Sequence, residues 1–129
     1  MPIVGVGTEI TDCLRITALI NEHGERFLRR VYTNAEIEYC SGRTAWTHHY
    51  AARWAAKEAV LRALGTGMRP GIRWRDIEIV NDERGAPIVI LHGGARELLE
   101  RAGAKRVHVA LSHSRNVAVA HAIAEGDGI

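Results

Sequence analysis

Two carboxylates in this sequence stand in surroundings where an unpaired charge would be costly. Glu9 ends an alternating segment in which Ile3, Gly5 and Gly7 share its face. A face with two glycines packs poorly by itself, but it lets a ligand or another backbone approach closely. The alternative is an ordinary glutamate on the surface at the end of a strand.

The second carboxylate is Glu58, which lies in the longest helical segment. At 3.6 residues per turn it shares one stripe with Trp54, Leu61 and Gly65. If this stripe is buried, Glu58 must be paired, hydrogen-bonded or bound to a metal. The alternative is an ion pair within the helix, because Arg62 follows four residues later.

Cations flank this carboxylate. Arg53 and Lys57 lie one turn apart on a neighbouring face of the same helix. Two carboxylates beside lysine and arginine resemble a site for a hard cation that also binds phosphates. Magnesium prefers one or two carboxylates together with waters and phosphate oxygens of a substrate. The pattern therefore favours a magnesium and phosphate site built from Glu9 and Glu58.

A histidine ends an apolar row near the C-terminus. Alternation places Val107, Val109 and Leu111 on one face of a strand, and His113 continues that row. A histidine in this position can hold a phosphate or a metal-bound water. The alternative is a core histidine whose hydrogen bonds are satisfied within the protein.

The positions of the charged residues say more about possible partners than the net charge does. The 129 residues carry a formal net charge of +2, too weakly basic to indicate nucleic acid. Arg15, Arg26, Arg29 and Arg30 cluster early in the chain and suit an acidic partner. The alternative is a solvated helix face.

Nothing in the sequence indicates secretion or a membrane. The N-terminus lacks the basic start and long apolar stretch of a signal peptide, and no apolar run approaches the length of a membrane span. Cys13 and Cys40 have neither metal-ligand spacing nor a disulfide framework, so we expect reduced thiols. The expected location is the cytoplasm.

Local patterns predict one α+β domain over residues 1–129, with a small, mostly antiparallel sheet packed with helices. Thr33 and Glu36 have the spacing of a capping box at the start of the third helix. Strands are predicted at 2–10, 76–80, 87–91, 105–112 and 117–124. Helices are predicted at 25–32, 34–42, 44–64 and 94–102, preceded by one that Thr11 or Asp12 caps and that runs to about Glu22.

In this order along the chain, several motifs resemble those of the holo-acyl-carrier-protein synthases, the short bacterial class of 4'-phosphopantetheinyl transferases. They are Gly5-Val6-Gly7-Thr8-Glu9-Ile10, Arg26-Phe27-Leu28-Arg29-Arg30, Ala52-Arg53-Trp54-Ala55-Ala56-Lys57-Glu58-Ala59, Leu64-Gly65-Thr66-Gly67, Gly85-Ala86-Pro87 and Ser112-His113. The resemblance covers almost the whole chain.

This resemblance implies a homotrimer with coenzyme A bound between subunits, and transfer of 4'-phosphopantetheine to a serine of an acyl carrier protein, with release of 3',5'-ADP, in fatty acid biosynthesis. It implies magnesium on Glu9 and Glu58, with Glu58 or a metal-bound water as the base. It also implies a charge role for Lys57 and Arg62 in catalysis. Coenzyme A contacts are implied for Arg53, Lys57, Gly65 and His113, and carrier-protein contacts for Arg15, Arg26 and Arg29.

Two residues depart from the family pattern. The acid of the first strand is usually aspartate where this chain has Glu9, and the residue four after the helix glutamate is usually lysine where it has Arg62. An arginine keeps a positive charge and can fork onto phosphate, but it does not transfer protons. The alternatives are a diverged transferase that serves a specialised carrier protein and a homologue that binds coenzyme A without turnover.

Overall fold

Five strands and five helices make up residues 2–127, the part of the chain that this computed structural model describes. Their mixture confirms the predicted α+β class. In chain order they are β1 Ile3–Asp12, α1 Cys13–His23, α2 Glu25–Val31, α3 Asn34–Ser41, α4 Trp46–Ala63, β2 Ile77–Asn81, β3 Pro87–Leu91, α5 Gly93–Arg101, β4 Arg106–Ser114 and β5 Val117–Glu125, with a 3₁₀ turn at Trp74–Asp76 before β2.

The strands form two antiparallel sheets. The larger one has the order β1-β5-β4, and the smaller one is the hairpin of β2 and β3. In the larger sheet Glu9 lies opposite Ala120, which in turn lies opposite Leu111. His113 lies one pleat repeat further along, opposite Ala118. The register therefore places Glu9 and His113 on the same face of the sheet.

Helix α4 crosses that face so closely that side chains are excluded between the two. A Cβ atom at Gly5 or Gly7 would collide with the backbone carbonyl of Ala63 or Ala59. The inward residues of β5 are also alanines, fully buried against the helix. The two glycines of β1 thus admit another backbone, one of the two possibilities that the sequence left open.

Side-chain caps fix where the helices begin. The carboxylate of Asp12 accepts a hydrogen bond from the amide of Leu14 at 2.9 Å, which starts α1. The capping box predicted for Thr33 and Glu36 is present at the start of α3. Gly24 separates α1 from α2 with a φ of 55°.

Most predicted boundaries were wrong by one or two residues; strand β4, for example, ends at Ser114 instead of Ser112. Two of these differences lie in the elements that carry Glu9 and Glu58. Strand β1 continues to Asp12, because Thr11 and Asp12 still pair with β5. Helix α4 begins at Trp46, because residues 42–45 form a turn that ends with Ala45 at a ψ of 45°. Neither difference moves Glu9 or Glu58 to another element.

The outer face of the larger sheet is apolar and exposed. Val6 and Ile10 of β1 are 66% and 67% exposed, and Ile123 of β5 is 40% exposed on the same face. Among the described residues, no helix is both long and apolar enough to cross a membrane.

Candidate active site

The structure brings Glu9 and Glu58 together, although 48 residues separate them in the chain. The end of β1 lies beside the C-terminal half of α4, and the two carboxyl groups are within hydrogen-bonding reach. The side chain of Glu9 is 15% exposed. Glu58 opens onto a cavity of about 240 Å³ whose wall includes Leu61, Met68 and Trp74.

Arg62 pairs with Glu9, and the ion pair with Glu58 that the helical spacing suggested is absent. Its guanidinium also donates a hydrogen bond to the backbone carbonyl of Thr8 at 2.8 Å. A positive charge therefore lies directly on the first-strand carboxylate. The side chain of Arg62 is half exposed, so this cation is also open to a ligand entering the cavity.

The carboxyl group of Glu58 holds its proton more strongly than a free glutamate. Its pKa is raised from 4.5 to about 7, chiefly because burial disfavours the ionised form. It rises further because the protonated Glu58 donates a hydrogen bond to Glu9 and because the charge of Glu9 repels the ionised form. The charges of Arg62 and Arg15 oppose this rise in pKa but do not cancel it. Two carboxyl groups that share a proton in this way are poised to exchange it for a cation.

The chemistry of this pair fits magnesium. Both ligands are hard carboxylate oxygens, and the adjacent cavity leaves room for waters and phosphate oxygens to complete the coordination. Within residues 2–127 no cluster of three or more histidine, cysteine, aspartate or glutamate side chains is placed to hold a metal. Waters and substrate oxygens would therefore have to supply the remaining ligands.

Lys57 lies apart from this cavity in the protein interior. Its ammonium is fully buried and donates to Glu36 at 2.8 Å, to the carbonyl of Trp74 at 3.1 Å and to the carbonyl of Ile77. Burial lowers the pKa of Lys57, and the charge of Glu36 partly opposes that change. Its three protons are all engaged within the protein, which favours a structural role for Lys57 over phosphate binding.

A second polar region surrounds Arg53 near the start of α4. The guanidinium groups of Arg53 and Arg43 both lie over the ring of Tyr39, at 4.4 and 4.2 Å from its centroid. Arg53 also donates to Asn81 on the β2–β3 hairpin at 2.5 Å, while its buried Nε has no partner among the described residues. The ring of His49 lies 5.4 Å from Tyr39.

His113 lies at the exposed end of its apolar row, 4.8 Å from the ring of His48. It is therefore not the enclosed core histidine of the alternative. Burial lowers the pKa of His49, and the charges of Arg53, His113, Arg43 and His48 lower it further. Five basic side chains thus lie close together, with Arg53 only 2% exposed and the other four reaching solvent. We call them the basic cluster: Arg43, His48, His49, Arg53 and His113.

Sequence reasoning found only Arg53 and His113 of the basic cluster. The sequence could also have indicated His49, because it precedes Arg53 by four residues and so shares its face of the helix. Tyr39 and Arg43 come from the preceding helix and turn, and their approach depends on how α3 packs against α4.

The carboxylate pair and the basic cluster face different sides of the same helix. Arg53 and Glu58 are five residues apart, which corresponds to a rotation of about 140° around α4. Arg53 points to the β2–β3 hairpin through Asn81, whereas Glu58 points to β1 through Glu9. Within one chain the two regions do not form a single cleft.

The remaining predicted residues lie around these regions. Gly65 takes a φ of 88° in the turn after α4. The guanidinium of Arg15 lies 5.7 Å from the ring centroid of Trp54, and Arg26 lines a surface hollow beside Phe27. Arg29 pairs with Glu25 at 2.8 Å, one of the local ion pairs expected if this were only a solvated helix face.

This chain is similar to proteins named as phosphopantetheinyl transferases. Residues 5–121 match the family model of the 4'-phosphopantetheinyl transferase superfamily. The holo-[acyl-carrier-protein] synthase of Geotalea daltonii is 46% identical over 123 residues, which cover 95% of this chain and 98% of that protein. That of Rhodopirellula baltica is also 46% identical over 123 residues, with the same coverage.

Solved structures agree with this similarity. The holo-[acyl-carrier-protein] synthase of Neisseria meningitidis superposes with a TM-score of 0.87 at 32% identity, covering 96% of this chain and 99% of that one. The enzyme of Bacillus anthracis, described in complex with CoA (3',5'-ADP), gives 0.80 at 34% identity, covering 97% and 98%. The chain belongs to the 4'-phosphopantetheinyl transferase superfamily, which confirms the resemblance read from its motifs.

Proposed function

We propose that this chain transfers 4'-phosphopantetheine from coenzyme A to a serine of apo-acyl carrier protein, giving holo-acyl carrier protein and 3',5'-ADP. The observation that carries the proposal is the Glu9–Glu58 pair, set at the mouth of a cavity in a chain that matches holo-[acyl-carrier-protein] synthases over 95% of its length. The coenzyme A ligand named for the Bacillus anthracis structure supports the choice of donor. We assign the activity to fatty acid biosynthesis.

Glu9 and Glu58 are the proposed magnesium ligands. Bound there, the ion would neutralise charge on the diphosphate of coenzyme A. Arg62 beside Glu9 adds a fixed positive charge for the same oxygens. Since arginine keeps its proton, its role in catalysis is electrostatic.

The reaction needs a group to take the proton of the serine hydroxyl. The serine oxygen forms a bond to the phosphorus that carries pantetheine, and the bond from that phosphorus to 3',5'-ADP breaks. We propose Glu58, or a water held by the bound ion, as the base, because the ion on this pair would place both beside the diphosphate that the serine oxygen attacks.

The basic cluster is the proposed site for the other phosphate of coenzyme A. Arg53 and His113 were predicted for this role, and Arg43, which packs against the same Tyr39 ring as Arg53, adds positive charge there. Gly65 is proposed to border the substrate in the turn after α4. For Lys57 we replace substrate binding with a structural role, because its ammonium is completely enclosed.

We propose a homotrimer, because it could bring the carboxylate pair of one subunit close to the basic cluster of the next. Since the carboxylate pair and the basic cluster face different sides of α4, one coenzyme A molecule is more easily held between two subunits than by one. The exposed apolar face of the larger sheet, with Val6 and Ile10, supplies surface for such an assembly. We propose this face as the subunit interface.

The remaining assignments concern organisation and partners. We propose that residues 1–129 act as one transferase domain in the cytoplasm, where the two buried free cysteines, Cys13 and Cys40, would stay reduced. Arg15, Arg26 and Arg29 are proposed to meet an acidic carrier protein. Arg29 contributes least, because Glu25 already neutralises it.

One observation favours a second candidate function. Arg62 forms an ion pair with the carboxylate of Glu9 and so competes with magnesium for it. This competition favours a homologue that binds coenzyme A without a metal and without turnover. Release of 3',5'-ADP separates the two functions. The transferase releases it from coenzyme A only with magnesium and an apo-carrier protein that has its serine, and a serine-to-alanine carrier stops the release. A chain that binds coenzyme A but releases no 3',5'-ADP under these conditions contradicts the proposal.

A further inference from the structure

Arg62 holds the carboxylate of Glu9 with only one of its three nitrogens. Its Nη1 donates both to Glu9 and, at 2.8 Å, to the backbone carbonyl of Thr8. Its Nε and Nη2 can also donate, but they reach no acceptor among residues 2–127. The side chain is 53% exposed and lines the cavity of Glu58. Part of the guanidinium is therefore available to an anion that enters this cavity.

A metal ion on the carboxylate pair would compete with the contact between Arg62 and Glu9. A divalent cation bound to Glu9 and Glu58 repels a guanidinium held on the same carboxylate. The side chain of Glu9 is only 15% exposed, so solvent and salt screen this repulsion less than they would at the surface. Magnesium by itself should therefore bind weakly while Arg62 remains on Glu9.

The carbonyl of Thr8 gives Arg62 an anchor that does not depend on Glu9. The residues on either side of Arg62 in α4, Leu61 and Ala63, are buried, so the backbone of this turn is held in place. The guanidinium can turn away from Glu9 and keep its hydrogen bond to Thr8. Its Nε and Nη2 then suit the oxygens of a phosphate, which a guanidinium binds as a planar fork.

We propose that Arg62 exchanges partners, leaving Glu9 for the diphosphate of coenzyme A when magnesium binds, and that this exchange couples the binding of the two ligands. The inference rests on the proposed function and concerns how the same site is filled. Coenzyme A draws the guanidinium from Glu9 and so opens this carboxylate to the ion. The ion in turn releases the guanidinium for the diphosphate. Each ligand therefore tightens the binding of the other by the same factor.

Calorimetric titration with magnesium, with and without saturating coenzyme A, measures this factor, and leaving out the carrier protein prevents transfer. In the wild type, coenzyme A should tighten magnesium binding. In Arg62→Met, magnesium alone should bind more tightly than in the wild type, because its competitor is gone. The tightening by coenzyme A should fall about tenfold, the effect of losing a charge-assisted hydrogen bond. What coupling remains comes from direct contact between the ion and the diphosphate.

Two comparisons make the test specific. Arg101→Met, at the end of α5, is the control and should keep both wild-type values. 3'-Dephospho-coenzyme A should give the same coupling as coenzyme A in the wild type, because it keeps the diphosphate. A thermal melt checks that Arg62→Met is folded, as expected for a half-exposed side chain.

Three results would overturn the proposal. Equal tightening by coenzyme A in the wild type and in Arg62→Met would make Arg62 a stationary charge. Magnesium that binds Arg62→Met no more tightly than the wild type, both without coenzyme A, would show that Arg62 does not compete for Glu9. Coupling that requires the 3'-phosphate would assign Arg62 to that group instead. Failure of the proposed function is a separate result, the absence of transfer to a carrier protein, and these titrations do not depend on transfer.

Discussion

Lys57, the residue before Glu58, forms an ion pair of 2.8 Å with Glu36, and both side chains are completely buried. The carboxylate of Glu36 also accepts from the amide of Thr33 at 2.8 Å and from that of Ile79 at 2.9 Å. This single carboxylate thus ties α3, α4 and β2 together. The pair fixes α4, and with it the position of Glu58 against β1.

Replacing Lys57 by methionine should destabilise the protein strongly. Removing one partner of a buried pair leaves an uncompensated charge, and we expect a loss of about 3–5 kcal/mol in the free energy of unfolding. The double variant Lys57→Met/Glu36→Gln should recover part of it, because the glutamine is uncharged and still caps Thr33. Urea denaturation measures all three proteins. If Lys57→Met instead keeps its stability and loses affinity for coenzyme A, Lys57 is a substrate ligand.

The raised pKa of Glu58 makes stability depend on pH. The folded protein holds this proton up to a pH of about 7, whereas the unfolded chain loses it near 4.5. The stability that Glu58 contributes is therefore complete below pH 4.5 and is lost as the pH rises to about 7. Glu58→Gln should raise the melting temperature relative to wild type at pH 8 but not at pH 4.5, by about 2–5 °C.

Two controls separate this effect from others. Glu97→Gln on the exposed side of α5 should show no such dependence on pH. Magnesium at pH 8 should stabilise the wild type and leave Glu58→Gln unchanged, because a ligand that binds only the folded state raises its melting temperature. An equal response of both proteins would exclude Glu58 as a magnesium ligand.

The outer face of the larger sheet should control assembly. Val6→Glu places a charge at a side chain that is 66% exposed in the single chain, and it should convert the proposed trimer into monomers at micromolar concentration. The matched control is Ile90→Glu, at a side chain 40% exposed on the β2–β3 hairpin, which should remain trimeric. Sedimentation equilibrium distinguishes the species. A wild-type monomer would refute the trimer.

Charge on α1 and α2 should govern recognition of the carrier protein. Arg15→Glu/Arg26→Glu should raise KM for an acidic carrier about tenfold and leave KM for coenzyme A nearly unchanged. Raising the salt concentration should weaken carrier binding in the wild type and less in the variant. Since Arg15 also lies over Trp54, a thermal melt must confirm that the variant is folded. If neither KM changes in the double variant, and the control Arg101→Glu also leaves both KM values unchanged, Arg15 and Arg26 belong only to a solvated helix face.

The elements and their order were readable from local signals. Thr33 and Glu36 predicted the start of α3, and the glycines of β1 predicted a close approach to that face. The partner of Arg62 was not readable in this way, because the spacing within the helix favours Glu58 and nothing local indicates that Glu9 lies nearer.

The loop of residues 66–73 explains what else escaped the sequence. It has no hydrophobic period, so its conformation depends on packing against α2 and α4. Met68 and Trp74 close the cavity of Glu58 only because of that packing. The enclosure of Lys57 has a similar origin, since Glu36 and Ile77 come from distant elements.

Mass spectrometry of an apo-acyl carrier protein tests the central claim most directly. After incubation with coenzyme A and magnesium, the wild-type chain should add the mass of one phosphopantetheine to the carrier. Glu58→Gln, folded and with unchanged elution, should add almost none, because an amide is a poor magnesium ligand and a poor base. A carrier that gains no mass with the wild type, or gains it equally with Glu58→Gln at saturating magnesium, would contradict the assignment.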